Sequence, residues 1–141
     1  MTDPDEAAHF VRETEIDSLA VSIGNVHTLT DGQAVIDMER LAAIHQAVSV
    51  PLVIHGGTSF PDEATADVIA LGVAKFNIGS VLKQAFLDGL AEAVATIPPG
   101  AGIHQVMGSR KEADVLQRGK TRMREEVVRR IRLMRPRLPK P

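Results

Sequence analysis

Three short segments of this 141-residue sequence combine residue types that can hold a metal ion or an anion. They are Gly24-Asn25-Val26-His27-Thr28, His55-Gly56-Gly57-Thr58-Ser59 and Asn77-Ile78-Gly79-Ser80. Two of them offer an imidazole, His27 and His55, 28 positions apart. The chain has no cysteine, so any metal site must draw on His, Asp or Glu. Neutral imidazole is a good Zn²⁺ ligand, and a catalytic zinc commonly takes three protein ligands and keeps one position open. Two histidines are one ligand short, and such a pair by itself is more often polar residues at loop ends than a metal site. The glycine-containing stretches have phosphate chemistry. Glycine lets backbone N–H groups approach an anion, Thr58 and Ser80 add hydroxyls, and the positive end of a helix attracts phosphate. The same glycines also suit plain tight turns. His9, His45 and His104 fall on helices or in a loop away from these segments and read as structural.

Each segment lies where a short apolar run hands over to a helical pattern. Ser18 to Ile23, Pro51 to Ile54 and Val73 to Ile78 read as strands buried on both faces. Between them lie helical patterns. One starts at Thr2-Asp3-Pro4-Asp5-Glu6, one at the cap Asp37 running to about Val48, and one at Pro61 running to about Leu71. Ser80 is expected to cap a further helix, ended by Pro98-Pro99-Gly100. The order αβαβαβα implies a parallel α/β sheet, because parallel strands need crossover connections. In such sheets the loops at the carboxyl ends of the strands share one face, and that face carries the site. A last amphipathic helix is expected over about 109–134.

Composition narrows the function classes. No apolar run approaches the ~20 residues that span a bilayer, and no secretory signal precedes the first helix, so a cytoplasmic protein without a membrane partner is expected. Residues 1–109 carry 4 Lys and Arg against 14 Asp and Glu, whereas residues 110–141 carry 12 against 4. A basic tail can meet nucleic acid. This one has no aromatic residue for base stacking, so a charged helix facing acidic neighbours and water is the preferred reading.

The runs TDPDEAAHFV…DSLAVSIGNVH, PLVIHGGTSFPDE and LGVAKFNIGS, taken in order and spacing, resemble the back half of class II fructose- or tagatose-bisphosphate aldolases. The similarity covers residues 2 to about 96, and the basic helix fits the family's ending. The resemblance implies an α/β fold: about three βα units, strands six to eight, of a (β/α)8 TIM barrel plus a C-terminal basic helix. Residues 1–141 would form one partial barrel domain. It also implies reversible cleavage of a ketose bisphosphate to dihydroxyacetone phosphate and an aldehyde phosphate. Zn²⁺ would polarise the ketone oxygen and stabilise the enediolate.

By the same resemblance His27 and His55 are zinc ligands. Thr28, Gly56, Gly57 and Thr58 fall at the substrate phosphate. Asn77, Ile78, Gly79 and Ser80 match the second substrate motif, in which the Asn helps hold the enediolate and the last hydroxyl binds phosphate. Lys83 stands where many members carry an Arg for the distal phosphate. The family's proton-transfer Asp and first zinc His come from an earlier strand, so no catalytic residue is assigned in this chain, and the chain alone is expected to be inactive. A phosphorylated sugar is the expected substrate, with a homo-oligomer in the full-length form and no nucleic-acid partner.

Several positions depart from the family pattern. Thr28 replaces a Gly, the aromatic-Lys pair after it is missing, Ser59 replaces the last Gly of HGGSG, and Gly79 removes the carboxylate of Asn-x-Asp-Thr. A small residue at 79 is closer to the tagatose-type pattern. These departures motivate an alternative: a catalytically diverged phosphate-sugar binding or assembly module on the same fold.

Overall fold

A computed structural model describes residues 1–25 and 34–135 of the chain. They divide into two compact units, one built on Met1–Ile78 and the other on Gly79–Arg132.

The first unit alternates helices and strands: α1 (Pro4–Thr14), β1 (Leu19–Val21), α2 (Met38–Ala47), β2 (Leu52–Ile54), α3 (Thr65–Ala70) and β3 (Val73–Phe76). The helix starts follow from their caps. The Asp3 carboxylate accepts the N–H groups of Asp5 and Glu6 at 2.9 and 3.1 Å, and Pro4 occupies the first turn, where its missing N–H costs nothing. Asp37 accepts the Arg40 N–H at 2.9 Å and also pairs with the Arg40 guanidinium at 3.1 Å. The backbone hydrogen bond from Arg40 is the chief cause that holds the Asp37 carboxyl below its ordinary pKa. Arg40 also reaches the carbonyl of Thr2 at 3.0 Å, and Thr2 exchanges two 2.8 Å hydrogen bonds with Ser22 just past β1.

The three strands form one parallel sheet in the order β1-β2-β3, with Leu19, Leu52 and Val73 in register. A bulge follows: Val53 pairs with Lys75, so Ala74 is passed over. Leu19, Val21, Leu52, Ile54 and Val73 pack with Ala7, Leu41, Ile44 and Val68 into one apolar core. Phe60 and Phe76 close it with an edge-to-face contact, centroids 5.5 Å apart. The expectation of strands buried on both faces holds for β2, where Leu52, Val53 and Ile54 are all buried, and needs correction for β1 and β3. Ala20, Ala74 and Lys75 are exposed, so only the helix-covered face of β1 and β3 is buried. Two-sided burial requires apolar partners on both sides; the central strand has them, and the described residues supply none over Ala20, Ala74 and Lys75.

Helix α3 is shorter than expected, because the run from Pro61 forms turns before it. The Thr65 N–H and hydroxyl bond back to the carbonyls of Asp62 and Pro61, each at 3.3 Å.

The second unit holds α4 (Ser80–Ala95), the single turn α5 (Ile103–Val106) and α6, which runs Val115–Leu133 and ends just beyond it. Two local expectations are corrected. Ser80 does not cap α4; it is the first helical residue, after Gly79, and no side chain caps this end. The last helix starts at Val115 rather than near 109, because Asp114 interrupts the run. Its carboxylate accepts hydrogen bonds from the Leu116 and Arg110 N–H groups and the Ser109 hydroxyl, at 2.9, 3.1 and 3.2 Å. Burial opposes ionisation of Asp114, which is only 1% exposed, but these donors outweigh it and hold its pKa below the ordinary value.

Several arginines of α6 are spoken for. Arg122 bonds Glu92 at 3.0 Å and Glu125 at 3.4 Å, and Arg129 and Arg130 both reach Glu126 at 2.8 Å. The hydrogen bond from Arg129 is the largest cause that holds the Glu126 pKa at about 2, with Arg130 adding to it. A lowered folded-state pKa means this contribution is fully present above the ordinary glutamate value near 4.5 and fades as pH falls toward 2. The melting temperature of the wild type should therefore drop more steeply between about pH 4.5 and 2 than that of Glu126→Gln. Parallel curves for the two proteins would exclude the pairing.

Candidate functional site

Because all three strands run the same way, their carboxyl ends lie on one edge, with Val21, Ile54 and Phe76 as the last paired residues of β1, β2 and β3. The chain then continues to Asn25 from β1, to His55 from β2 and to Asn77 from β3. Neighbouring strands are ~4.8 Å apart, so polar residues just beyond these ends meet. The Asn25 carboxamide donates to the His55 carbonyl at 2.9 Å. The Asn77 carboxamide nitrogen lies 3.1 Å from Nε2 and 3.4 Å from Nδ1 of the His55 ring. His55 itself is exposed and Asn77 half-buried.

The glycines after His55 have identifiable steric duties. Gly56 has φ +68°, a left-handed conformation that turns the chain out of β2. Gly57 lies against the end of β3, where a Cβ would come within 2.7 Å of the Ile78 side chain and 3.2 Å of the Asn77 carbonyl. Its N–H donates to that same carbonyl at 3.2 Å, and the Ser59 N–H donates to the Gly56 carbonyl at 3.2 Å. The Gly57 N–H is thus engaged by the segment after β3, and the Ser59 N–H by its own loop. Gly57→Ala should cost about 1–3 kcal/mol, the range for forcing atoms into a packed contact. Chemical denaturation measures it, and an unchanged midpoint would show that the Ile78 contact yields freely.

Other expected site residues are placed as follows. His27 and Thr28 lie outside the described residues. Thr58 is half-buried in the turn after Gly57, and Ile78, half-buried, closes the first unit. Gly79, Ser80 and Lys83 belong to the second unit and are exposed at the start of α4, where the Lys83 N–H donates to the Gly79 carbonyl at 3.2 Å. Of the histidines read as structural, His9 faces Glu13 across one turn of α1 at 3.9 Å. His45 packs over Gly72, and His104 is exposed in α5.

Among the described residues no group of three His, Cys, Asp or Glu side chains could hold a metal ion. The donor chemistry fits zinc at one point: His55 presents an accessible imidazole at a strand end. Asn25 directly precedes Val26-His27, and nothing in the residue order pairs it with His55. The only signal for it was its place just past the first strand.

The sequence profile of the class-II fructose-bisphosphate aldolase family matches residues 1–137. Among solved structures, the chain is similar to the YdjI aldolase of Escherichia coli K12, with 33% identity and a TM-score of 0.74. That match covers 94% of this chain and 44% of the E. coli protein. The fructose-bisphosphate aldolase of Campylobacter jejuni, 21% identical, shares the fold with a TM-score of 0.73 over 94% of this chain and 45% of its own. This chain thus spans less than half the length of these relatives. No described helix is long and apolar enough to cross a membrane. With a parallel sheet whose polar residues gather at one edge, and a profile match over nearly every residue, the chain belongs to the class-II fructose-bisphosphate aldolase family.

Proposed function

We propose that this chain forms strands six to eight and the C-terminal helix of a (β/α)8 barrel that performs zinc-dependent aldol cleavage of a ketose bisphosphate. The single observation that supports it best is the convergence of Asn25, His55 and Asn77 beyond three adjacent parallel strands, in a chain of aldolase ancestry. His55 and His27 would hold the metal. When bound, zinc supplies Lewis-acid polarisation of the ketone oxygen and stabilises the negative charge that develops as the carbon–carbon bond breaks. This chain's own residues do the holding. Asn77 offers a carboxamide beside His55 for a substrate oxygen. Thr28, Thr58 and Ser80 offer hydroxyls to phosphate, and the Lys83 ammonium balances phosphate charge. Gly56, Gly57, Ile78 and Gly79 set the backbone around them. Proton transfer and a third ligand come from the remaining length of the barrel, in a homo-oligomer without nucleic-acid partners. With Gly79 in place of a carboxylate, a tagatose-type substrate is the preferred ketose.

The test is a cleavage assay of the complete polypeptide with fructose and tagatose bisphosphates, with and without zinc. Zinc-dependent release of dihydroxyacetone phosphate is expected. Ser80→Ala should raise KM severalfold at nearly constant kcat, because it removes binding that substrate and transition state share. Tight zinc binding without cleavage of any ketose bisphosphate would favour a diverged sugar-phosphate binding module.

A further inference from the structure

We propose that Asn25 is a positioning residue that ties the end of β1 to the backbone of His55 and so sets where the His55 imidazole stands, a role that rests on the zinc reading above. Its carboxamide makes three contacts. Oδ1 accepts the Ile23 N–H at 2.8 Å, and Nδ2 donates to the Val21 carbonyl at 3.3 Å and to the His55 carbonyl at 2.9 Å. The first two are local, the usual way an Asn shapes its own turn. The third crosses 30 positions of sequence and joins two strand ends.

His55 lies one residue beyond Ile54, the last residue of β2 paired with β1. The Asn25 bond therefore continues the connection past the point where the ladder stops. From the other side Asn77 donates its N–H to the Ile54 carbonyl at 2.8 Å and meets the His55 ring. His55 is thus held through its backbone by one neighbouring strand end and through its ring by the other. Asn25 also stands two positions before His27 in the sequence, so the residue that anchors His55 belongs to the segment bearing the other expected ligand. Groups that orient a metal ligand without touching the metal typically change affinity 10–100-fold when removed.

Asp separates this role from simple turn formation. Asn25→Asp keeps an acceptor for the Ile23 N–H and nearly the same volume, but has no N–H for the His55 carbonyl. The complete polypeptide is compared with its Asn25→Ala and Asn25→Asp variants. Carbonyl-¹³C histidine and ¹⁵N-glycine labelling reports on the His55-Gly56 peptide, the one His-Gly bond in this chain. In the zinc-free protein, both variants should move the His55 carbonyl resonance upfield, as loss of a hydrogen bond requires. Zinc affinity, measured by chelator competition, should fall about 10–100-fold in Asn25→Ala. Asn25→Asp is judged on the carbonyl alone, because its added charge attracts a cation by itself.

An unmoved carbonyl in Asn25→Asp, or wild-type zinc affinity in Asn25→Ala, overturns the proposal. If the wild type binds no zinc while both carbonyls move, the tie between strands stands and the zinc reading falls. If the variants do not fold, the wild type decides: a scalar coupling across the Asn25 Nδ2–H···O=C His55 hydrogen bond is expected, and its absence overturns the proposal.

Discussion

Replacing His55 by alanine in the complete enzyme is expected to lower turnover by at least about 10³-fold while leaving the melting temperature of the zinc-free protein nearly unchanged. One lost oxyanion donor typically costs 10²–10³-fold, and a metal ion is a stronger stabiliser of developing negative charge than any single N–H. The change should also weaken zinc binding beyond the 10–100-fold typical of groups that only orient a ligand. Stability should be spared because the imidazole is exposed at the strand end and lies outside the apolar core. Surface substitutions of this kind usually stay within about 0.5 kcal/mol. Metal analysis, turnover and thermal melting of one preparation decide it. Full zinc occupancy with normal cleavage would remove His55 from the site, and a large drop in the melting temperature of the zinc-free protein would show that it serves the fold.

The 141-residue polypeptide purified by itself is expected to show no zinc-dependent cleavage and to self-associate. In the order β1-β2-β3, the outer strands each have one described neighbour. Thr2 pairs with Ser22, beyond the carboxyl end of β1, but among the described residues β1 itself has no strand on that side. A strand edge with unpaired backbone groups is a template for further pairing. The sheet also exposes Ala20, Ala74 and Lys75, a surface that an added layer would cover. On the proposed reading, proton transfer and the third zinc ligand come from outside these residues; loss of a general acid or base typically costs 10²–10⁴-fold and loss of the metal more. Chromatography with light scattering, run beside the cleavage assay, tests both halves. A clean monomer with substantial zinc-dependent turnover would show that these residues carry a whole active centre.

What the sequence alone made legible is what neighbouring residues decide. Asp3 and Asp37 each cap a helix whose first turn lies within three residues, so their carboxylates find their partners locally. The apolar runs around Leu19, Leu52 and Val73 can be buried only as strands joined by helices, and the glycine- and histidine-bearing segments had to fall at their ends. The aldolase resemblance rested on those same segments, and the family match extends it over residues 1–137.

Other features depended on pairings between distant positions, which residue order does not specify. The slip at Ala74 puts Lys75 opposite Val53, and no residue beside it announces a bulge. Gly57 appeared as well suited to an anion as to a tight approach. Only the pairing of strand ends shows its N–H bonded to the Asn77 carbonyl and its open side filled by Ile78. Asp114 could have continued a helix from 109, and folding back of Ser109 and Arg110 onto its carboxylate made it a start instead. The tie from Asn25 to His55 is the furthest from local sequence, because a carboxamide's partner 30 residues away is set by strand order and register.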